Sequence, residues 1–231
     1  MRPITDPAVV SEFRSLVGSL MFLTIAVRAD LAYSVGFLSR YMCKPNELLL
    51  GLGKRILRYC KGSKNLGLKY NYGNTDGLHG YCDADWGGEV AGRRSTTGYC
   101  YMLSGGAVAW RSKLQASVAK STMEAEYMAL SHAVSECVYL KSLAAHLQYF
   151  VDGPVMIFEH NQGCIDIALS TTTNPKTKHI EIHFHYVREL INTSQVSVTH
   201  KPGGDMVADI LTKPLGKLLF QKHVKVLMNF E

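Results

Sequence analysis

The sequence predicts a mixed α/β domain preceded by a small, mostly helical segment. Three observations carry that reading. Up to about residue 60, apolar residues recur at helical spacing. From about residue 78, three strand-like runs follow one another, and Gly105-Gly106 joins the last two as a hairpin. After residue 121, helical and strand-like runs alternate. The order β-β-β-α-β-α-(α)-β-α is a mixed sheet flanked by helices, opening with three antiparallel strands. A boundary near residue 75 divides the chain into a helical segment at 1–75, an α/β domain at 76–215 and a tail at 216–231.

Pro3 and Pro7 make residues 1–10 an extended lead-in. Ser11 can cap a first helix to about Val27, with Phe13, Leu16, Val17, Leu20 and Met21 on one face. Asp30 can cap a second to about Met42, and Pro45-Asn46 opens a third that ends near Cys60. Gly62, Gly67, Gly73 and Gly77 punctuate a strand region around 66–72. Strands are expected at 78–86, 97–103 and 107–112, and a long helix from Ser121 to about Gln148. A short strand at 155–158, helices at 161–169 and 183–192, a strand at 195–200 and a short helix at 205–211 complete the domain.

At 231 residues, 47% hydrophobic and 19% charged, the chain has the composition of an ordinary globular protein. A net charge of +6 permits a polyanionic partner without requiring one. None of the six cysteines falls at CxxC spacing or in a zinc-ligand pattern, so reduced thiols in an intracellular protein are expected. The best apolar run, 20–27, is too short for a membrane span and reads as a core helix.

The chemistry lies in scattered acids. Asp83 and Asp85 are two apart in the first strand, hence on one face, and an acid in an apolar strand calls for solvent, a partner or a metal. Ser121-Thr122-Met123-Glu124 spells a capping box, which gives Glu124 a structural task and leaves Glu126 as the better candidate ligand. Asp209 follows Lys201-Pro202-Gly203-Gly204 on the last short helix; taken alone it is an ordinary surface acid. Clustered carboxylates are what Mg²⁺ prefers, and two such ions can drive phosphodiester hydrolysis.

Together these pieces resemble the C-terminal part of copia-type retrotransposon polyproteins. Tyr81-Cys82-Asp83-Ala84-Asp85-Trp86, Arg94-Ser95-Thr96-Thr97-Gly98-Tyr99, Glu124-Ala125-Glu126-Tyr127, Thr177-Lys178-His179-Ile180 and Ala208-Asp209-Ile210-Leu211-Thr212-Lys213-Pro214-Leu215 look like that family's ribonuclease H domain. Phe13-Arg14-Ser15-Leu16-Val17-Gly18-Ser19-Leu20 and Lys54-Arg55-Ile56-Leu57-Arg58-Tyr59 look like the thumb or connection tail of its reverse transcriptase. The resemblance implies a ribonuclease H-like fold, an RNA–DNA hybrid as partner, and Mg²⁺ or Mn²⁺ as cofactor if the domain is active. It also implies that Asp83, Glu126 and Asp209 are three of four metal-binding carboxylates. The fourth is expected in a motif resembling Cys-Asp-Asn-Gln, which here reads Glu159-His160-Asn161-Gln162. His160 thus stands in the aspartate's place, and Glu159, of opposite strand parity, should point away. Imidazole suits zinc, copper or nickel better than Mg²⁺, so cleavage is expected to be severely impaired. Arg28-Ala29-Asp30 departs from the family's Arg-Pro-Asp, 46–53 lacks its usual aromatic, and no polymerase Tyr-x-Asp-Asp occurs.

Lys54, Arg55, Arg58, Lys61 and Lys64, with Lys69, form an acid-free stretch interleaved with Tyr59 and Tyr70, expected to contact nucleic-acid phosphates. Arg55-Ile56-Leu57-Arg58 also matches the RxLR pattern of oomycete effectors secreted into plant cells. That resemblance implies the alternative of a non-enzymatic effector with host plant proteins as partners. The leader and acidic stretch that accompany the pattern are not evident. His179, His183 and His185 suggest a structural or nucleic-acid-facing segment rather than a metal site.

Overall fold

A computed structural model of the protein describes residues 3–74, 76–89, 91–149, 151–170 and 181–230. The Thr177–Ile180 motif, with His179, lies outside them. Three helices come first: α1 (Pro7–Ala26), α2 (Ala32–Ser39) and α3 (Glu47–Gly62). Helix α1 starts before Ser11. Asp6 caps it by accepting from the Ala8 N–H at 2.9 Å, and Pro7 sits in the first turn, where a missing N–H costs nothing. Phe13, Val17, Leu20, Leu31, Val35, Leu38 and Leu49 form one apolar cluster among the three helices. By length and composition α1 could cross a membrane, which the 20–27 run alone did not show. Its face opposite the cluster leaves Phe22 and Ile25 more than 70% exposed.

The region 66–72 is not a strand. It runs extended beside the hairpin, tied by the Lys69 N–H to Met228 O and the Asn71 N–H to Ser104 O. Five strands follow: β1 (His79–Asp85), β2 (Thr96–Leu103), β3 (Gly106–Leu114), β4 (Val155–Glu159) and β5 (Val196–His200). They form one sheet in the order β3-β2-β1-β4-β5, antiparallel among the first three and parallel across β1-β4-β5. This is the mixed sheet flanked by helices that the order of elements in the sequence implied.

Alternation along the strands gives each face its own core. Cys82, Tyr99, Tyr101, Val155 and Ile157 point to α4 (Thr122–His146), α5 (Gln162–Leu169) and α6 (Glu181–Asn192). Each large side chain sealed there contributes about 1.5–3 kcal/mol. Tyr81, Cys100 and Met102 point the other way, to a 3₁₀ turn at Val207–Leu211 and to α7 (Lys217–Met228). The residues after 215, read as a tail, thus form a helix whose Val224, Leu227 and Met228 complete a core. Trp110 on β3 donates to Thr24 O at 2.7 Å and joins α1 to the sheet edge. All six cysteines are free thiols.

Candidate functional site

Strands β1 and β4 are parallel neighbours whose continuations leave in opposite directions, to β2 and to β5. Such a switch point opens a crevice at the C-terminal ends of the strands, where ligands of open α/β sheets bind. Four of the residues singled out in the sequence meet there. Asp83 comes from β1, and His160 directly follows β4. The first turns of α4 bring Glu126, and the 3₁₀ turn brings Asp209. His160 Nδ1 lies 3.3 Å from Asp83 Oδ1, and its Nε2 lies 3.5 Å from Glu126 Oε1. Asp83, Glu126 and His160 can each offer an atom to a common cation, all within 4.8 Å of one another.

Local sequence explains the placement. Ser121 Oγ accepts from the Glu124 N–H at 3.2 Å, and the Glu124 carboxylate accepts from the Lys120 N–H at 2.9 Å. The expected cap is therefore present, displaced by one residue at its return bond. Glu126, two positions on, is turned inward against β1. Opposite Asp83 in the sheet stands Gly98, whose missing side chain lets the 3₁₀ turn lie directly on β2. A Cβ there would sit 2.6 Å from Thr212 Cγ2, 2.8 Å from Leu211 Cβ and 3.1 Å from Ala208 O. Gly98→Ala is therefore expected to cost about 1–3 kcal/mol in urea unfolding, because Leu211 Cβ and the Ala208 carbonyl move only with the backbone and the buried Thr212 side chain is held by Asp83.

Buried like charge dominates the electrostatics. Asp83 and Glu126 are sealed from solvent, with side chains 0% and 1% exposed. Burial, then Glu159 and Asp83, push the Glu126 carboxyl well above its usual range. Burial and Asp83 push Asp209 up to about 6. Lys213 Nζ is 2.9 Å from Asp209 and 3.7 Å from Asp83; burial lowers its pKa, but the two acids outweigh it and hold the ammonium above its ordinary value. The Thr212 hydroxyl donates to Asp83 Oδ2. Burial lowers the pKa of His160 and outweighs the pull of Asp83, so the imidazole is neutral at neutral pH.

Glu159 departs from its expected orientation. Although on the opposite face by parity, it does not leave the site. Its Oε1 accepts from the His160 and Asn161 N–H groups at 2.8 and 2.9 Å and lies 3.8 Å from His160 Nδ1. The Cys82 thiol donates to its other oxygen at 3.2 Å. Burial raises the Glu159 carboxyl to about 8. The signal for this was available: as the last residue of β4 it precedes the unpaired N–H groups of a turn. Lys213 lies four residues after Asp209, the spacing of a helical ion pair, and that spacing is the sequence signal for its place in the site. Asp85, the second acid of β1, is not among the clustered ligands.

The basic residues lie elsewhere. Lys54, Arg55 and Arg58 are exposed on α3, as are Lys61 at its end and Lys64 just beyond it; none takes part in the carboxylate cluster. The Arg55-Ile56-Leu57-Arg58 string is a turn of the same helix, and its Ile56 packs against the three-helix core. His183 Nδ1 is paired with Ser131 Oγ at 2.8 Å.

No family model matches the chain. It is 38% identical to the retrovirus-related Pol polyprotein from transposon RE1 of Arabidopsis thaliana over 218 residues, 94% of this chain and 15% of that one. It is 47% identical to the secreted RxLR effector protein 161 of Plasmopara viticola over 128 residues, 55% of this chain and 90% of that protein. Among solved structures, LC11-RNase H1 in complex with an RNA/DNA hybrid pairs with 58% of this chain and 93% of its own, with a TM-score of 0.44 and 15% identity.

Proposed function

Since the chain belongs with the Pol polyproteins of copia-type retrotransposons, to which it is 35–38% identical over 90–94% of its length while spanning only about 15% of theirs, we propose that it is a ribonuclease H-like domain that engages RNA–DNA hybrids but has lost most of its ability to cut them. Residues 1–75 are then the remnant of a reverse transcriptase thumb or connection, and residues 76–215, with α7, form the hybrid-hydrolase fold. The reading places the domain inside the cell.

One observation carries it: His160 stands amid the carboxylates, facing Asp83 at 3.3 Å and Glu126 at 3.5 Å. Cleavage by two magnesium ions about 3.5–4 Å apart needs oxygen ligands with enough negative charge to hold both. The residues present do not fit that pair. The aspartate's position holds an imidazole, which brings no negative charge. Hybrid binding asks less of the site. It needs phosphate-contacting cations, which Lys54, Arg55, Arg58 and Lys61 supply on the surface of α3 and Lys64 just beyond it.

The test is binding of a fluorescent RNA–DNA hybrid at several salt concentrations. Wild type is expected to bind, and a Lys54→Glu/Arg58→Glu variant to bind at least about 10-fold more weakly with a shallower salt slope. Equal binding by both would remove α3 from the interface. No binding by wild type, in a protein folded by circular dichroism, would end the hybrid reading. It would leave the effector alternative, whose support is the 47% identity to an effector-named relative.

A further inference from the structure

We propose that Asp83, Glu126 and His160 form a site for one borderline divalent cation of the zinc type, in place of the magnesium pair that the fold implies. The claim concerns the same crevice as the hybrid reading but does not depend on hybrid binding.

The geometry comes first. Ligands about 2.0–2.1 Å from a tetrahedral zinc ion lie about 3.3–3.4 Å from one another. The gap between His160 Nδ1 and Asp83 Oδ1 is 3.3 Å, and that between Nε2 and Glu126 Oε1 is 3.5 Å. One ion can take only one ring nitrogen: Nδ1 faces Asp83 Oδ1 at such an edge length, and one ligand atom each from Asp83, Glu126 and His160 lie within 4.8 Å of one another. The ring is 30% exposed, which leaves a path from solvent and room for a water as fourth ligand.

Independent of that spacing, the site holds unpartnered polar atoms. Among the described residues, Asp83 Oδ1, Glu126 Oε2 and His160 Nδ1 have no hydrogen-bond partner, and the two carboxylates are sealed from water. Buried lone pairs without partners are costly, and those of anions most of all. A cation among them would satisfy all three at once. Asp83 is also oriented from behind: Thr212 donates to its other oxygen. The backbone that carries His160 is pinned by Glu159 at 2.8 Å. Support of this kind is what fixes metal ligands in place.

The donor set then selects the ion. Two carboxylates and an imidazole with an open position suit zinc, cobalt or nickel, whereas magnesium demands six oxygens in near-octahedral array. The fourth acid is withdrawn, because Lys213 is bound to Asp209 at 2.9 Å. One ion is therefore expected rather than two.

The test is titration of the metal-free protein with Zn²⁺ alone, with Co²⁺ alone and with Mg²⁺ alone. The readouts are calorimetry, thermal melting and, for cobalt, visible absorption. Wild type is expected to bind one equivalent of Zn²⁺ at least about 100-fold more tightly than Mg²⁺, in line with the order of divalent affinities for nitrogen-containing sites. A rise in Tm and a cobalt spectrum that zinc abolishes should accompany it. His160→Ala should lose the site while keeping the fold by circular dichroism. His146→Ala, a distant surface histidine, should keep it. Zinc uptake unchanged in His160→Ala, or Mg²⁺ binding as tightly as Zn²⁺ to wild type, would overturn the proposal. Should His160→Ala fail to fold, His160→Asn supplies the same comparison. None of these readouts involves hybrid, so their failure is separable from failure of the hybrid reading.

Discussion

Replacing His160 by aspartate is expected to raise Mg²⁺-dependent cutting of the RNA strand of an RNA–DNA hybrid by at least about 100-fold, since even the outer partners of a metal site cost about 10–100-fold when lost. The substitution returns a carboxylate to the place between Asp83 and Glu126 that the imidazole now fills, and restores a negative charge. The surrounding supports stay in place: the Thr212 donor to Asp83, the pinned turn after β4, and the Gly98 contact that seats the Asp209 turn. The same change crowds another anion into a cluster whose acids are already held above their ordinary pKa by burial and by one another. The metal-free variant should therefore melt below wild type, and millimolar Mg²⁺ should recover the difference. A variant that melts normally and ignores Mg²⁺ would show that the remaining carboxylates cannot hold the ion.

Asp30→Ala is expected to destabilise the protein by about 3–5 kcal/mol in urea unfolding, the cost of leaving one member of a buried ion pair alone. Arg28 and Asp30 are 5% and 2% exposed. They meet through two parallel bonds of 2.9 Å, from Nε and Nη2 to the two carboxylate oxygens. The Tyr59 hydroxyl donates to the same carboxylate at 2.8 Å, and Arg28 also reaches Ser63 Oγ at 2.9 Å. Removing Asp30 leaves the guanidinium without its counter-charge and the phenol without its acceptor. The double variant Arg28→Met/Asp30→Leu should recover most of the loss, because the attraction of a buried pair is largely offset by its desolvation. The network joins α3 to the chain between α1 and α2. It also holds Ala29, the departure from the family's proline, fully buried against the second core.

Much of the domain was legible because local signals and tertiary packing agree in it. The β2–β3 hairpin is announced by Gly105-Gly106, and Gly105 has a φ of +84° that glycine alone adopts freely. Helix α4 begins where Ser121 and Glu124 say it does. The misreadings have physical causes. The alternation of Leu66, Leu68 and Tyr70 looks like a strand, but among the described residues its backbone N–H groups bond to Met228 and Ser104 rather than to a strand ladder. Helix α7 carried a readable stripe, Val224, Leu227 and Met228 against Lys217, Lys222 and Lys225, and a stop at Asn229 in the left-handed conformation. The family motifs end at Leu215, before that stripe begins. In the site, Asp83, Glu126, His160 and Asp209 could be named from motifs. That Glu159 curls back, and that Lys213 occupies Asp209, depends on where a strand ends and how a 3₁₀ turn sits, which residue parity does not encode.

The most direct measurement is single-turnover cleavage of a labelled RNA–DNA hybrid by wild-type protein in Mg²⁺, with His160→Asp run beside it. Wild type is expected to give no product above the protein-free control in the time His160→Asp needs to finish. Cutting by wild type at a rate near that of His160→Asp would contradict the claim that His160 disables the site.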